Sequence, residues 1–336
     1  MDYNDYKYTY AVSRIRSIET KLLDRTKLER MIDARTPEEA LKVLVEAGYG
    51  YTRSEPGKAY DYEDMLKEEQ KKVYDLLKKI APEPEVFVLF LLKSDYHNIK
   101  AILKAEFSGQ EAADFLMLDS GSIPPEKMKS IIRDRKFSEL PDTMRKAAEE
   151  SIDAYNRTTD PQVIDLILDK ACYQQMWELS CRYKNKFLKE LTVIMIDLAN
   201  LKMFLRIKVL GKPWEMLQKI LIPGGSIDSK LYRQGLEMDM EHFSDAVSHT
   251  AYGSLVKESI KSYKTEGTLT RFEKLSDNYI MDYIKKAKYI SFGVEPLVAY
   301  LLAKETEIKN ARIIMVGKIN NISNEVIRER LREVYV

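Results

Sequence analysis

The sequence predicts an all-α fold. Apolar residues recur at steps of three and four, as in the early segment that contains Leu22, Leu23, Leu28, Met31 and Ile32. No convincing stretch shows the alternation of apolar and polar residues that is typical of a half-buried strand. Only 13 glycines and 11 prolines occur among 336 residues, while Leu, Lys, Glu and Ala recur throughout. This composition favours helices.

Start and stop signals place the individual helices. Thr36 followed by Pro37 predicts the beginning of an early helix, because a threonine caps well and a proline fits the first helical turn. Longer helices are predicted at about 59–80, 161–183, 186–210, 269–290 and 295–318. Helix breakers are predicted at SGSIPP (120–125), IPGGSI (222–227) and SFGVEP (291–296). In the first two of these, Ser122 and Ser226 are expected to act as N-caps.

Composition argues against several classes of protein. Lys plus Arg number 54 and Asp plus Glu 53, so the formal charge of +1 gives no electrostatic argument for a nucleic-acid partner. The longest apolar runs are about seven residues, too short to span a bilayer, and the N-terminus lacks a signal-peptide pattern. The two cysteines, Cys172 and Cys181, fall in one predicted helix about 13 Å apart and are expected to stay reduced.

A polar motif, acid-x-x-Asn-x-base, occurs three times within apolar helical segments. Its members are Asp95, Asn98 and Lys100, then Asp197, Asn200 and Lys202, then Glu307, Asn310 and Arg312. The first residues of the three copies are separated by 102 and 110 residues. Flanking sequences recur at similar spacing, namely Gly121-Ser122-Ile123 with Gly225-Ser226-Ile227 and Tyr49-Gly50 with Tyr252-Gly253.

This repetition predicts three similar helical units of about 105 residues each. The expected division is 1–118 for an N-terminal helix with unit 1, 119–222 for unit 2 and 223–336 for unit 3. Three related units favour pseudo-three-fold symmetry about a central axis, although a linear row is also compatible with the sequence.

The acid and the asparagine of each motif share one face of a helix, three residues apart. General acid–base catalysis needs two groups that converge on one substrate, whereas here single sets recur about a hundred residues apart. Buried carboxylates and amides more often hydrogen-bond neighbouring helices and fix their register. We therefore interpret the motif as structural and predict no catalytic residue; a cavity that a partner touches stays as the alternative.

Other candidate sites are weaker still. The three histidines, His97, His242 and His249, have no nearby ligand set for a metal. The PGGSID segment lacks the Gly-Lys-Ser/Thr ending of a P-loop. No cofactor, metal or small-molecule substrate is therefore predicted. The clustered tyrosines at positions 3, 6, 8 and 10 are interpreted as packing of an N-terminal helix onto the first unit.

Both ends of the sequence resemble a known family. The N-terminal residues of the resemblance are Tyr8, Tyr10, Ser13-Arg14-Ile15-Arg16, Glu19 and Leu22-Leu23. The C-terminal residues are Lys304-Glu305, Glu307-Ile308, Asn310, Arg312, Gly317-Lys318, Leu331-Arg332 and Tyr335-Val336. Together with the length and the repeats, they resemble the C subunit of prokaryotic A/V-type ATPases, a relative of the d subunit of the vacuolar ATPase.

The resemblance implies a non-catalytic rotor adaptor in the central stalk. Such a protein is funnel-shaped, with a central opening that receives the shaft of D and F subunits, and its broad end lies on the ring of c/K-type proteolipid subunits. It would lie peripherally on the cytoplasmic face of a prokaryotic membrane, without entering the bilayer, and transmit torque for ATP-coupled proton or sodium transport. Arg14 and Arg16 would form either a contact or an intramolecular ion pair, and we favour the ion pair. The alternative function is a free-standing helical-repeat scaffold.

Overall fold

All regular secondary structure in the described part of the chain is helical. The computed structural model describes residues 5–50, 61–110 and 119–336, and within these ranges it contains no strand. The α-helices are α1 (Thr9–Glu19), α2 (Arg25–Asp33), α3 (Pro37–Glu46), α4 (Tyr62–Ile80), α5 (Val88–Phe107), α6 (Pro125–Arg133), α7 (Asp142–Thr158), α8 (Gln162–Arg182), α9 (Lys186–Val209), α10 (Trp214–Ile220), α11 (Ser229–Glu237), α12 (Met240–Ala246), α13 (Gly253–Glu266), α14 (Thr270–Lys285), α15 (Glu295–Ile319) and α16 (Asn324–Arg330). Short 3₁₀ helices occur at Asp5–Tyr8, Pro84–Phe87, Phe137–Glu139 and Lys286–Tyr289. No described helix is long and apolar enough to cross a membrane.

The predicted helix boundaries are confirmed to within a few residues. The Thr36 side chain accepts a hydrogen bond from the Glu39 N–H and caps α3, with Pro37 as the first helical residue. Asn185 caps α9 in the same way through the Leu188 N–H. The helix expected at 269–290 is divided, because α14 ends at Lys285 and a 3₁₀ turn follows it. Of the helix expected at 59–80, residues 59 and 60 lie outside the described ranges.

The chain packs into two compact units. Unit 1 contains Met1–Phe87 and Glu273–Val336, and unit 2 contains Val88–Phe272. These packing units follow contacts rather than sequence repeats, so the division at 118 and 222 stays a prediction. The first of those boundaries adjoins residues 111–118, which lie outside the described part of the chain.

Unit 1 is built from both the N-terminal and the C-terminal part of the chain. Helix α15 packs against α1, α2, α3 and α4, and α16 packs against α2. The shared core includes Leu28, Met31, Ile32, Leu41, Leu44, Met65 and Leu66 from the N-terminal part, and Ile308, Ala311, Ile314, Met315, Ile327 and Leu331 from the C-terminal part. Burial of these apolar side chains is the main force that holds the two parts together.

Unit 2 is organised around two long buried helices, α5 and α9. Helix α8 packs against both of them, and α7 packs along α8. Stacked aromatic rings join helices that are distant in sequence: Phe107 lies 3.9 Å from Tyr155, and Phe204 lies 4.1 Å from Phe243, between ring centroids. The two cysteines are both free thiols on α8; Cys172 is buried and Cys181 is exposed.

Candidate functional site

The three acid–asparagine pairs of the sequence motif are buried in long helices. Asp95 and Asn98 lie on α5, Asp197 and Asn200 on α9, and Glu307 and Asn310 on α15. All six side chains belong to the buried polar residues of the chain. Because an unpaired polar group in such surroundings is costly, the partners of each pair decide what it does.

Asp197 binds the turn that follows α10. Its Oδ1 accepts hydrogen bonds from the Ser226 N–H at 2.8 Å and from the Ile227 N–H at 3.4 Å. Its Oδ2 accepts from the Ser226 hydroxyl at 2.6 Å and from the Tyr252 hydroxyl at 2.9 Å. Both oxygens of the carboxylate are thus used to hold one turn and one tyrosine.

Asn200 binds the backbone just before the same turn. Its Nδ2 donates to the Ile222 carbonyl at 2.9 Å, and its Oδ1 accepts from the Ile222 N–H at 2.8 Å. One side chain thereby satisfies both polar groups of a residue that is itself buried.

Asp95 makes the same kind of contact on α5. It accepts hydrogen bonds from the Ser122 hydroxyl at 2.6 Å and from the Ile123 N–H at 3.1 Å. Burial raises the pKa of Asp95, and the hydrogen bonds from Ser122 and Ile123 oppose that rise. The two donors therefore offset part of the cost of burying this carboxyl group.

A glycine allows each of these two turns to approach its carboxylate. A Cβ atom added to Gly121 would lie 2.4 Å from Asp95 Oδ1, and one added to Gly225 would lie 2.3 Å from Asp197 Oδ1. Neither distance is compatible with a side chain unless the turn or the carboxylate moves.

Ser122 and Ser226 are not N-caps, contrary to the prediction. Helix α6 begins after Pro124, and α11 begins after Asp228, whose side chain accepts a hydrogen bond from the Lys230 N–H. In each case the N-cap lies two residues after the serine. The serine hydroxyl instead donates a hydrogen bond to the buried carboxylate.

Glu307 takes its partners from the other end of the chain. Its Oε2 accepts from the Leu23 N–H, and its Oε1 accepts from the Tyr49 hydroxyl at 2.5 Å and from Lys304 Nζ at 2.6 Å. Leu23 immediately precedes Asp24, the N-cap of α2, just as Ile227 precedes Asp228, the N-cap of α11. The N-terminal part of the chain therefore provides hydrogen-bond donors to Glu307, whereas the turn after α10 provides them to Asp197.

Asn310 repeats the geometry of Asn200. Its Nδ2 donates to the Arg332 carbonyl at 3.0 Å, and its Oδ1 accepts from the Arg332 N–H at 2.9 Å. In both cases the partner lies 22 residues further along the chain.

The surroundings of Glu307 form a buried charged cluster. Lys304 Nζ lies 2.8 Å from Glu69 and 4.7 Å from the centre of the Tyr49 ring. Burial disfavours the charged lysine, but the carboxylates of Glu307 and Glu69 outweigh it and raise the pKa of Lys304. Burial and the charge of Glu307 raise the pKa of Tyr49 well above its ordinary value, so its hydroxyl remains a donor.

Two of the three basic residues of the motif form ion pairs with flanking helices. Lys100 Nζ lies 2.6 Å from Asp169 on α8, and Arg312 makes a two-point ion pair with Glu63 on α4, 2.7 Å at its shorter distance. Lys202 is half-buried. These half-exposed ion pairs contribute less than the buried hydrogen bonds, since solvent screens them.

A further pair of lysines was missed in the sequence. Lys208 Nζ donates to the Gly235, Leu236 and Met238 carbonyls at the end of α11, and Lys318 Nζ donates to the Ala34 carbonyl at the end of α2. Each lysine stands eleven residues after the acid of its own motif. That spacing was a detectable signal, and an ammonium group at a helix C-terminus is favourable.

In the first copy the residue at that position is Glu106, which has the opposite charge. Glu106 binds Arg135, and Arg135 Nη1 donates to the Ile132 carbonyl near the end of α6 at 2.6 Å. In all three copies a cation thus reaches the C-terminal end of a short neighbouring helix, namely α6, α11 or α2, and the first copy does so by a different route.

The two N-terminal arginines have different environments. Arg16 lies 3.0 Å from Glu19, and its Nη2 also donates to the carbonyls of Ala287, Lys288 and Ile290. Arg14 is exposed and makes no hydrogen bond or ion pair with the described residues.

The remaining candidate groups do not converge on a site. His97, His242 and His249 are exposed, and His242 Nδ1 lies 2.7 Å from Asp239 of its own helix. Among the described residues, no cluster of histidine, cysteine and acidic side chains could hold a metal ion. The tyrosines at the N-terminus differ in their exposure. Tyr8 is buried, Tyr6 and Tyr10 are exposed, and Tyr3 lies outside the described residues.

Comparisons with known proteins match nearly the whole length of the chain. The family model described as ATP synthase (C/AC39) subunit matches residues 11–330. The C subunit of the V-type sodium ATPase of Enterococcus hirae is 30% identical over 96% of this chain and 97% of its own length. The C subunit of the A-type ATP synthase of Methanocaldococcus jannaschii is 28% identical over 96% of this chain and 86% of its own length. The match covers the helices that carry all three acid–asparagine pairs, and the chain belongs to the ATP synthase (C/AC39) subunit family.

Proposed function

We propose that this chain is a non-catalytic adaptor in the rotor of an A/V-type ATPase or ATP synthase. It joins a shaft made of D- and F-type subunits to the membrane ring of proteolipid subunits, and it transmits torque for ATP-coupled ion transport. The observation that carries the proposal is the match over nearly the whole chain to the C subunits of both a V-type sodium ATPase and an A-type ATP synthase.

An adaptor of this kind must be stiff, because a soft element would store the torque as deformation. The acid–asparagine pairs supply stiffness, since each one fixes a long helix to neighbouring segments of the chain by hydrogen bonds that are buried or partly buried. Breaking such a bond inside the protein leaves a buried polar group unpaired, which costs about 1–3 kcal/mol. Nine motif residues on three helices therefore act as structural residues in this proposal.

The repeated contacts support a threefold organisation of the chain. Asn200 and Asn310 both bind a backbone 22 residues downstream, and Asp95 and Asp197 both bind a Gly-Ser-Ile turn. We infer three similar helical units with pseudo-three-fold symmetry, arranged as a funnel around a central opening that receives the shaft. The predicted division at 118 and 222 belongs to this proposal.

The protein would lie peripherally on the cytoplasmic face of a prokaryotic membrane. The absence of a spanning helix among the described residues is compatible with attachment through a partner. Its partners would be the D and F subunits and the c/K-type ring, with no nucleic acid and no small-molecule substrate.

Reconstitution tests the adaptor role directly. Purified chain is mixed with its D–F pair and with detergent-solubilised ring, and complexes are separated by size-exclusion chromatography at low salt. We expect one complex that contains all three components, whereas the D–F pair and the ring without the chain should elute separately. The proposal is refuted if a chain that retains its helical circular dichroism binds neither component. Binding to other proteins alone would favour a free-standing scaffold.

A further inference from the structure

One surface of unit 1 exposes aromatic and basic side chains together. We call it the aromatic–basic patch, and it consists of Tyr6, Lys286, Lys288 and Tyr289. Tyr289 is 91% exposed and Tyr6 57%, so both rings lie mostly in solvent. Single exposed tyrosines are ordinary, but two tyrosines beside two lysines that have no acidic partner indicate a binding surface.

The patch is held in place by contacts beneath it. Arg16 on α1 donates to the Ala287, Lys288 and Ile290 carbonyls, so the 3₁₀ turn that carries Lys286, Lys288 and Tyr289 is fixed against α1. The Tyr6 ring lies 5.4 Å from the Phe292 ring, which joins the 3₁₀ helix before α1 to the residues just after that turn. The exposed tyrosines therefore stand on a supported backbone.

The positive charge of the patch is not neutralised by neighbouring acids. Lys286 and Lys288 are exposed and form no ion pair with the described residues. The nearby acids have other partners: Asp282 and Glu333 pair with Lys285, and Glu19 pairs with Arg16.

Two aromatic rings position the lysine ammonium groups. Lys286 Nζ lies 4.8 Å from the centre of the Tyr283 ring, and Lys288 Nζ lies 4.7 Å from the centre of the Tyr335 ring. Such contacts restrain a flexible side chain without removing its charge. Two restrained cations are thus presented within three residues of Tyr289.

We propose that the aromatic–basic patch binds the anionic headgroups of a lipid bilayer. Tyrosine places its ring at the level of the headgroups and its hydroxyl in water, and lysines near the surface are attracted by anionic lipids. A fluid headgroup layer needs no preformed groove, which suits a tyrosine that is almost fully exposed. The inference rests on the proposed function, which brings this chain to a membrane surface.

Vesicle sedimentation tests the proposal. Vesicles of phosphatidylcholine with about 30% phosphatidylglycerol are compared with pure phosphatidylcholine vesicles, using the full chain. We expect binding to the anionic vesicles alone, and we expect about 0.5 M NaCl to weaken it strongly. The double substitution Lys286→Gln with Lys288→Gln should weaken binding about 30-fold, since each lysine near the surface contributes about a fivefold factor.

A matched control carries the same loss of charge elsewhere. Lys257 and Lys261 are both exposed on α13, and replacing both with Gln should leave vesicle binding unchanged. Tyr289→Ser, which keeps every charge, should weaken binding without changing its dependence on salt. Because all these side chains are exposed, circular dichroism and thermal melting should match the wild type.

Three results would overturn the proposal. These are equal binding to neutral vesicles, equal effects of the patch and control substitutions, and patch substitutions that weaken binding to the detergent-solubilised ring but not to vesicles. The last result would make the patch a protein contact. Loss of vesicle binding with an intact shaft–ring complex rejects only this inference, and vesicle binding without shaft or ring binding rejects only the adaptor role.

Discussion

Replacing Asn200 with leucine should selectively destabilise unit 2. The substitution removes the donor to the Ile222 carbonyl and the acceptor for the Ile222 N–H, and both backbone groups are left buried without a partner. At about 1–3 kcal/mol for each group, the loss is about 2–6 kcal/mol. The buried leucine side chain returns about 1.5–3 kcal/mol. We therefore expect a net loss of about 2 kcal/mol in the free energy of unfolding.

The two tryptophans make this loss measurable in unit 2. Trp177 and Trp214 are the only tryptophans of the chain, and both lie in that unit. Urea unfolding followed by tryptophan fluorescence therefore reports unit 2, while far-ultraviolet circular dichroism reports helices of both units. With a urea dependence of about 2 kcal/mol per molar, the fluorescence midpoint should fall by about 1 M.

Two further variants serve as controls. Asn310→Leu makes the equivalent change at Arg332 in unit 1, so it should lower the circular-dichroism transition more than the fluorescence transition. Asn320→Leu alters an exposed asparagine at the end of α15 and should have little effect. A fluorescence midpoint for Asn200→Leu that matches the wild type, or that moves no further than in Asn320→Leu, would refute the reasoning.

Three other substitutions test separate parts of the structure. Gly225→Ala should destabilise unit 2 by about 1–3 kcal/mol in the same fluorescence assay, because the new Cβ would lie 2.3 Å from Asp197 Oδ1; unchanged stability would show that the turn yields freely. Lys208→Met should cost about 1–2 kcal/mol through loss of the cation at the end of α11, whereas Lys212→Met, at an exposed position, should be neutral; equal effects would contradict the capping role. Burial raises the pKa of Asp95 above its ordinary 3.8, so in the window above 3.8 the folded chain binds more protons than the unfolded chain, and stability falls as pH rises through it. The stability advantage of the wild type over Asp95→Asn should therefore be larger near pH 4 than near pH 6, and an advantage that grows with pH would contradict the raised pKa.

The local features of this fold were predictable from the sequence because their causes are local. Thr36 with Pro37 marks α3, and the spacing of Asp197 and Asn200 shows that both face the same way on α9. The role of Ser226 was not predictable, because a serine before a helix suits an N-cap and a carboxylate donor equally well. Only the packing of the turn against α9 distinguishes the two.

The partners of Glu307 could not be predicted from local sequence patterns. The Leu23 N–H is 284 residues away, and no periodicity connects positions so distant. The similarity of Tyr49-Gly50 to Tyr252-Gly253 was visible, yet it indicated a repeat and not a contact. The structure shows that both tyrosine hydroxyls donate to the acid of a motif.

The composition of unit 1 from two distant parts of the chain has a consequence for its biosynthesis. Tyr49 emerges from the ribosome 258 residues before Glu307, a delay of about 13–50 s at ordinary rates of translation. All of Val88–Phe272 is made within that interval and can fold first. Until α15 appears, the apolar faces of α2, α3 and α4 have no C-terminal core to cover them. The nascent chain is therefore most exposed to aggregation and chaperone binding at its oldest segment, and synonymous codons that slow translation between α4 and α15 should lower the yield of folded protein.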